Sequence, residues 1–151
     1  MKPEETIDFH IRSLWHTISR LYNEEAAKYG STMSTGFVLL NIDGESGTPS
    51  TSLGPRMGME STSLTRILKS MEEKNLIFRK PNPNDGRGVL ICLTEFGKEM
   101  RNVSRDVVVR FNHKIKAELS AEELQSFFRV MGRLQETIQE LKMINPIWKE
   151  E

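Results

Sequence analysis

The sequence predicts a mainly α fold: long amphipathic helices at both ends, and between them a compact helical segment closed by one β-hairpin. Three observations carry this. Apolar residues recur every three or four positions along both terminal stretches, positive charge gathers in the middle, and one dense turn cluster separates two short apolar runs.

The helices follow in chain order. Ile7, Ile11, Leu14, Ile18 and Leu21 lie 4, 3, 4 and 3 residues apart, a heptad-type seam on a helix predicted to end near Tyr29-Gly30. Met33 to Ile42 reads as a short helix stopped by Asp43-Gly44. The polar loop GESGTP follows, then a short, proline-interrupted helical segment from Thr51 to Met57. Met59 to Lys74 is a clearer helix. With ~100° per residue, Ile67, Leu68 and Met71 cluster with Leu64, while Thr62, Arg66, Lys69 and Glu73 point away and Ser63 and Thr65 take the shoulders. Asn75 stands where asparagine tolerates the left-handed conformation that ends a helix. Thr94 is a suitable N-cap for the next stripe, Phe96, Met100, Val103, Val107, Phe111 and Ile115, which stops around Leu119. Ser120-Ala-Glu-Glu123 is a capping box, and Leu124, Phe127, Phe128, Met131, Leu134, Ile138 and Leu141 form the last stripe, ending before Asn145-Pro146.

Composition limits the function classes. The 151 residues balance 21 Lys+Arg against 21 Asp+Glu with 37% hydrophobic, which suits one globular domain, 1–151. The longest apolar run, Val89 to Leu93, is far short of the ~20 residues of a membrane span, and MKPEETIDFH lacks a secretory core. A cytoplasmic protein with no membrane partner is expected. The single cysteine, Cys92, fits a reducing compartment, and its apolar surroundings point to a structural thiol. Asn102-Val-Ser104 matches a glycosylation sequon but sits in a helical pattern without an export signal. His10, His16 and His113 have no paired ligand spacing, and phosphate-loop and nucleophile motifs are missing, so neither metal, cofactor nor enzyme activity is expected.

Charge is unevenly spread. Residues 1–47 hold 4 basic and 7 acidic side chains, residues 48–93 hold 7 and 4, and residues 94–151 hold 10 and 10. The basic middle contains Arg56, Arg66, Lys69, Lys74, Arg79, Lys80 and Arg87, a possible footprint for phosphates. Two helices joined by a turn at Gly58 make a helix-turn-helix. On the second, Arg66 and Lys69 suit guanine O6 and N7 or phosphates, with Thr62, Ser63 and Thr65 as hydroxyl partners. A soluble helix also has a polar face without any such role.

The hairpin tips the balance. Ile77 to Lys80 is a short strand, Pro81 to Gly86 a turn cluster and Val89 to Leu93 the returning strand, so Asp85, Gly86 and Arg87 fall at the tip. A hairpin beside a recognition helix is a wing, and its arginine suits the narrow, electronegative minor groove. Asp85 is expected to pair with and orient the Arg87 side chain.

At this point Thr48 to Gly97 resembles the winged helix-turn-helix of the MarR family of bacterial regulators. The recognition helix is MESTSLTRILKSMEEKNL, followed by IFRK, by DGR as an Asp-x-Arg wing signature, and by LTEFG as a Leu-Thr-x-x-Gly lead-in. The resemblance implies a homodimer on a pseudo-palindromic, double-stranded operator, with residues 33–97 binding DNA and residues 1–30 and 98–145 forming the dimerisation region. The expected DNA-facing set is Ser61, Thr62, Ser63, Thr65, Arg66, Lys69, Arg79, Asp85 and Arg87. It also implies a ligand-responsive repressor, for which Trp15, His16, Phe37, Leu40 and Phe111 are candidate walls of a small-molecule site. The alternatives are a monomeric bundle and a helical protein–protein interaction module without specific DNA binding. Two positions depart from the family pattern. Gly54-Pro55 replaces an Ala-polar pair, so that helix should be short or start late; Glu60 opposes phosphates but suits cytosine N4.

Overall fold

A computed structural model describes residues 2–144, and the chain divides into two compact units, Met1–Val108 and Val109–Glu151. In the first, a short turn at Pro3–Glu5 precedes α1 (Ile7–Ala27), α2 (Met33–Asn41), β1 (Thr48–Pro49), α3 (Ser50–Met57), α4 (Ser61–Glu73), β2 (Ile77–Asn82), β3 (Asp85–Leu93) and the start of α5 (Glu95–Ala117). The remainder of α5 and α6 (Ala121–Ile144) make up the second.

The core of the first unit sits where α2, α3 and α4 meet the sheet. Val38, Leu39 and Ile42 come from the end of α2, Leu53 from α3, Leu64, Leu68 and Met71 from α4, and Ile77, Ile91 and Leu93 from the strands. Burying such side chains contributes about 1.5–3 kcal/mol each, enough to outweigh the weak strand preference of so small a sheet. The sheet is antiparallel in the order β1-β3-β2. β1 was expected to be loop. It is a two-residue strand because Thr48 and Pro49 pair with Ile91 and Leu90 of β3, a long-range contact that local propensity does not encode. Proline is tolerated there because β1 is an edge strand. The loop before it is tied by Asp43, whose carboxylate accepts from the Ser46 N–H (2.7 Å), the Ser46 hydroxyl (2.8 Å) and the Glu45 N–H (3.0 Å). Those donors hold the Asp43 carboxyl below the usual range.

α3 is short, as Gly54-Pro55 requires, but it does not start late: it runs from Ser50 with Pro55 inside it. Gly54 has a packing role. A Cβ there would lie 3.2 Å from the Met59 carbonyl oxygen and 3.6 Å from Leu64 Cδ2, so glycine lets α3 sit against the start of α4. Gly58 closes the turn with φ +61°.

A second joint links α4 to α5. Asn75 takes φ +56°, as expected, and the Leu76 N–H donates to the Met71 carbonyl at 2.9 Å. The Thr94 hydroxyl donates to the Asn75 carbonyl (2.7 Å) and accepts from the Gly97 N–H (2.9 Å), capping α5. At Gly97 a Cβ would fall 1.9 Å from the Leu76 carbonyl oxygen, a contact no other residue could make. Cys92 is buried with its Sγ against Gly47, in keeping with a structural thiol.

In the second unit the capping box forms as the sequence predicts. The Ser120 N–H donates to Glu123 Oε2 (2.7 Å) and the Glu123 N–H to Ser120 Oγ (3.2 Å), which lowers the Glu123 carboxyl pKa. No residue of α6 from 121 to 143 is buried, and Phe127, Phe128, Val130 and Ile138 are each about half exposed or more. The expected stop at Asn145-Pro146 lies outside the described residues. Among those residues no helix is long and apolar enough to cross a membrane.

Candidate nucleic-acid interface

α4 divides cleanly into two faces. Leu64, Leu68 and Met71 are buried, Ile67 is half-buried, and Ser61, Thr62, Ser63, Thr65, Arg66 and Lys69 are exposed. Spacing explains this, since positions three and four apart share one side of a helix. The Thr65 hydroxyl donates to the Ser61 carbonyl at 2.8 Å, so its proton is committed to the helix and its oxygen is left to accept. Arg66 and Lys69 make no ion pair among the described residues. Glu60 is the N-cap residue, in extended backbone, yet its carboxylate makes no capping bond.

The wing departs from a simple hairpin. Asn82 pairs with Asp85 across the turn, and its neighbour Pro81 pairs with Val89, so Gly86, Arg87 and Gly88 are left out of the ladder as a bulge. Strand β3 therefore starts earlier than the Val89 expected from the apolar run, and β2 continues past Lys80 to Asn82. Arg87 projects from a backbone kink. Asp85 holds that kink by accepting the Arg87 N–H at Oδ1 (3.1 Å), and a Cβ at Gly88 would fall 2.9 Å from Asp85 Oδ2. The expected pairing of Asp85 with the Arg87 guanidinium is thus corrected: the carboxylate binds the backbone, because a residue two positions on offers its N–H within reach of an Asx-type turn. Arg79 is also engaged, through Nε to Glu72 Oε2 at 3.0 Å, which fixes it beside the groove between α3 and α4.

A separate slot lies within the first unit between the end of α1, the start of α2 and α5, with a solvent volume of about 40 Å³. Two of the candidate wall residues, Phe37 and Leu40, line it; Trp15 stacks on Phe37 (centroids 6.4 Å apart, planes 14° apart). His16 is exposed and does not line it, and Phe111 belongs to the second unit. Tyr22, Glu25, Tyr29 and Met100 line it and were missed, because only the tertiary fold brings α1 and α5 to the same slot. The adjoining loop is tied to α4: Lys74 Nζ, just past the end of that helix, donates to the Gly30 carbonyl at 3.2 Å.

The MarR family signature matches residues 32–89, the span from α2 to the returning strand of the wing. Over that span the chain is similar to the MarR family. Among curated proteins, it is 34% identical over 90 residues to the HTH-type transcriptional regulator SarZ of Staphylococcus epidermidis, covering 60% of this chain and 61% of SarZ. Against YdgJ of Bacillus subtilis, an HTH-type transcriptional regulator, identity is 31% over 90 residues and 55% of that protein is covered. The chain thus spans less than two thirds of these relatives' length.

Solved structures share the fold over most of the chain. Staphylococcus aureus MepR in a DNA complex superposes with a TM-score of 0.81 at 17% identity, covering 87% of this chain and 98% of MepR. A cysteine-to-serine variant of Escherichia coli MarR complexed with operator DNA gives 0.72 at 26% identity, covering 82% and 89%. In this chain Gly54-Pro55 is accommodated without loss of the winged helix, whose two helices remain joined at Gly58.

Proposed function

We infer that this chain is a sequence-specific, double-stranded DNA-binding regulator that acts as a homodimer, most simply as a ligand-responsive repressor on a pseudo-palindromic operator. One observation carries the reading: α4 presents Arg66 and Lys69 unpaired on a polar face, and the bulged wing of the same unit presents Arg87. A helix of this face chemistry suits the major groove and an arginine on a thin wing suits the minor groove beside it. Ser61, Thr62, Ser63 and Thr65 accompany the helix contacts, while Arg79, already ion-paired, suits a phosphate of the flank.

Dimerisation follows from the terminal stripes. Ile7, Ile11, Leu14 and Trp15 of α1 and Phe127, Phe128 and Ile138 of α6 are exposed apolar side chains in series. Large exposed apolar surface marks an interaction site, and a second copy of the chain would place two reading helices about one DNA turn apart. The slot at Phe37 and Leu40 is the proposed effector site. The same stripes support the alternative of a helical interaction module, which differs in one outcome: it binds no DNA.

Titrating labelled operator duplex by fluorescence anisotropy at several salt concentrations tests the reading. Arg87→Ala should flatten the slope of log K against log salt by about 1–2 for a dimer, since each phosphate contact contributes ~0.9. Asp85→Ala should weaken binding too, although it removes a negative charge, because the kink that projects Arg87 loses its backbone bond. Tighter binding by Asp85→Ala at every salt concentration would show that Asp85 acts through charge alone. No salt-dependent binding by the wild type would leave the interaction-module alternative.

A further inference from the structure

The slot has a charge preference written into its walls. Of the side chains lining it, Glu25 is the only acidic one, and neither lysine, arginine nor histidine is present. The rest are aromatic or apolar, such as Tyr22, Tyr29, Phe37 and Met100, with a few hydroxyls. The last turn of α1 borders the slot through Glu25 and Ala26, and the Ala26 carbonyl already accepts from the Tyr29 and Ser31 N–H groups (both 3.0 Å), so the negative field at the slot comes from Glu25.

The start of α2 would ordinarily offset that field, because first-turn N–H groups attract anions. Here two of those donors are already used. The Met33 N–H donates to Asn23 Oδ1 at 3.0 Å, and the Thr35 N–H to the Thr32 hydroxyl at 3.2 Å. Glu25 itself is bonded to Lys28 at 2.5 Å, but Lys28 is well exposed and does not line the slot. The cation therefore holds the carboxylate in place from outside without offering a seat inside. Burying a carboxylate in such a space would leave it without a counter-charge and beside a like charge, both unfavourable.

We propose, building on the reading of this slot as the effector site, that it takes a flat aromatic molecule carrying zero or positive charge and excludes aromatic carboxylates. The aromatic class follows from the ring walls: Tyr22 meets Phe37 edge-on at 5.9 Å and Trp15 stacks on the same ring. A space of about 40 Å³ holds only a few waters, so the ligand enters by displacing side chains, for which the methionines Met33 and Met100 are suited. Burial pushes the Tyr22 hydroxyl's pKa up, so the phenol adds no negative charge to the wall.

Benzoate, benzamide and benzamidine are near-isosteric and differ in charge, which makes them the probes. Their binding to the full chain is followed by the NMR shifts of Phe37, Tyr29 and Met100. Benzamidine and benzamide should bind, with benzoate at least about tenfold weaker, a difference of ~1.4 kcal/mol. Glu25→Gln should narrow the gap between benzamidine and benzoate while leaving benzamide within about twofold, and an unchanged fold is checked by operator affinity. Benzoate binding as tightly as benzamide would overturn the charge preference yet keep the effector site. If none of the three shifts those residues at millimolar concentration while operator binding is intact, the effector reading falls and this proposal with it.

Discussion

α4 and α6 are both amphipathic, yet the chain treats them differently. The 13-residue α4 buries Leu64, Leu68 and Met71 in a core shared with α2, α3 and the sheet, whereas the 24-residue α6 buries no described side chain. For α4 the apolar half is satisfied at home, so its polar half is held rigidly and is free to read a surface. For α6 the apolar half remains outside. Both helices are amphipathic, and what separates them is whether the apolar face is buried within the same unit. The stability of one is intramolecular; that of the other should depend on concentration.

The contrast can be broken first at the core. Leu68→Ala should cost about 2–5 kcal/mol in urea unfolding, because the cavity opens among Leu64, Met71 and the strands, and the loss should not vary with protein concentration. Next comes the open helix. Ile138→Glu should turn a dimer into a monomer by sedimentation and weaken operator binding by roughly 100-fold or more through the lost second half-site. A wild-type chain that sediments as a monomer at micromolar concentration would remove the basis for this comparison. On the reading face, Arg66→Ala should cost about 1–3 kcal/mol at one base position per half-site, and uniform weakening on every sequence would make Arg66 a phosphate contact instead.

The smallest effect concerns how α6 begins. Bonds to Ser120 lower the Glu123 carboxyl pKa, so the cap stabilises the helix fully above the unfolded value and is lost as pH falls through the folded one. Carboxyl NMR should give Glu123 a midpoint below the ordinary glutamate range, and Ser120→Ala should raise it. Glu123→Gln should keep the capping bond without the pH dependence.

What could be read beforehand follows the reach of each interaction. Thr94, Ser120, Glu123 and Asn75 do their work within a few residues, and each adopts the cap or turn its sequence indicates. The two faces of α4 were legible for the same reason. β1 was not, since two residues become a strand only when Ile91 and Leu90 arrive from far along the chain. The bulge at Gly86–Gly88 and the bond from Asp85 to the backbone depend on strand register, which residue types do not specify. Glu25 escaped notice because a charged residue on a helix face reads as solvated until the fold supplies a slot beside it.

The bond between Lys74 and the Gly30 carbonyl gives the molecule a property of exchange. One end belongs to the loop bordering the slot and the other follows α4, so on the proposed reading this bond joins the effector site to the helix that would face DNA. Linkage of this kind has no direction: any factor by which a small molecule loosens the grip on an operator is the factor by which the operator loosens the grip on that molecule. A promoter occupied by this protein would then act as a competitor for the signal, and its threshold would move with the number of operator sites in the cell.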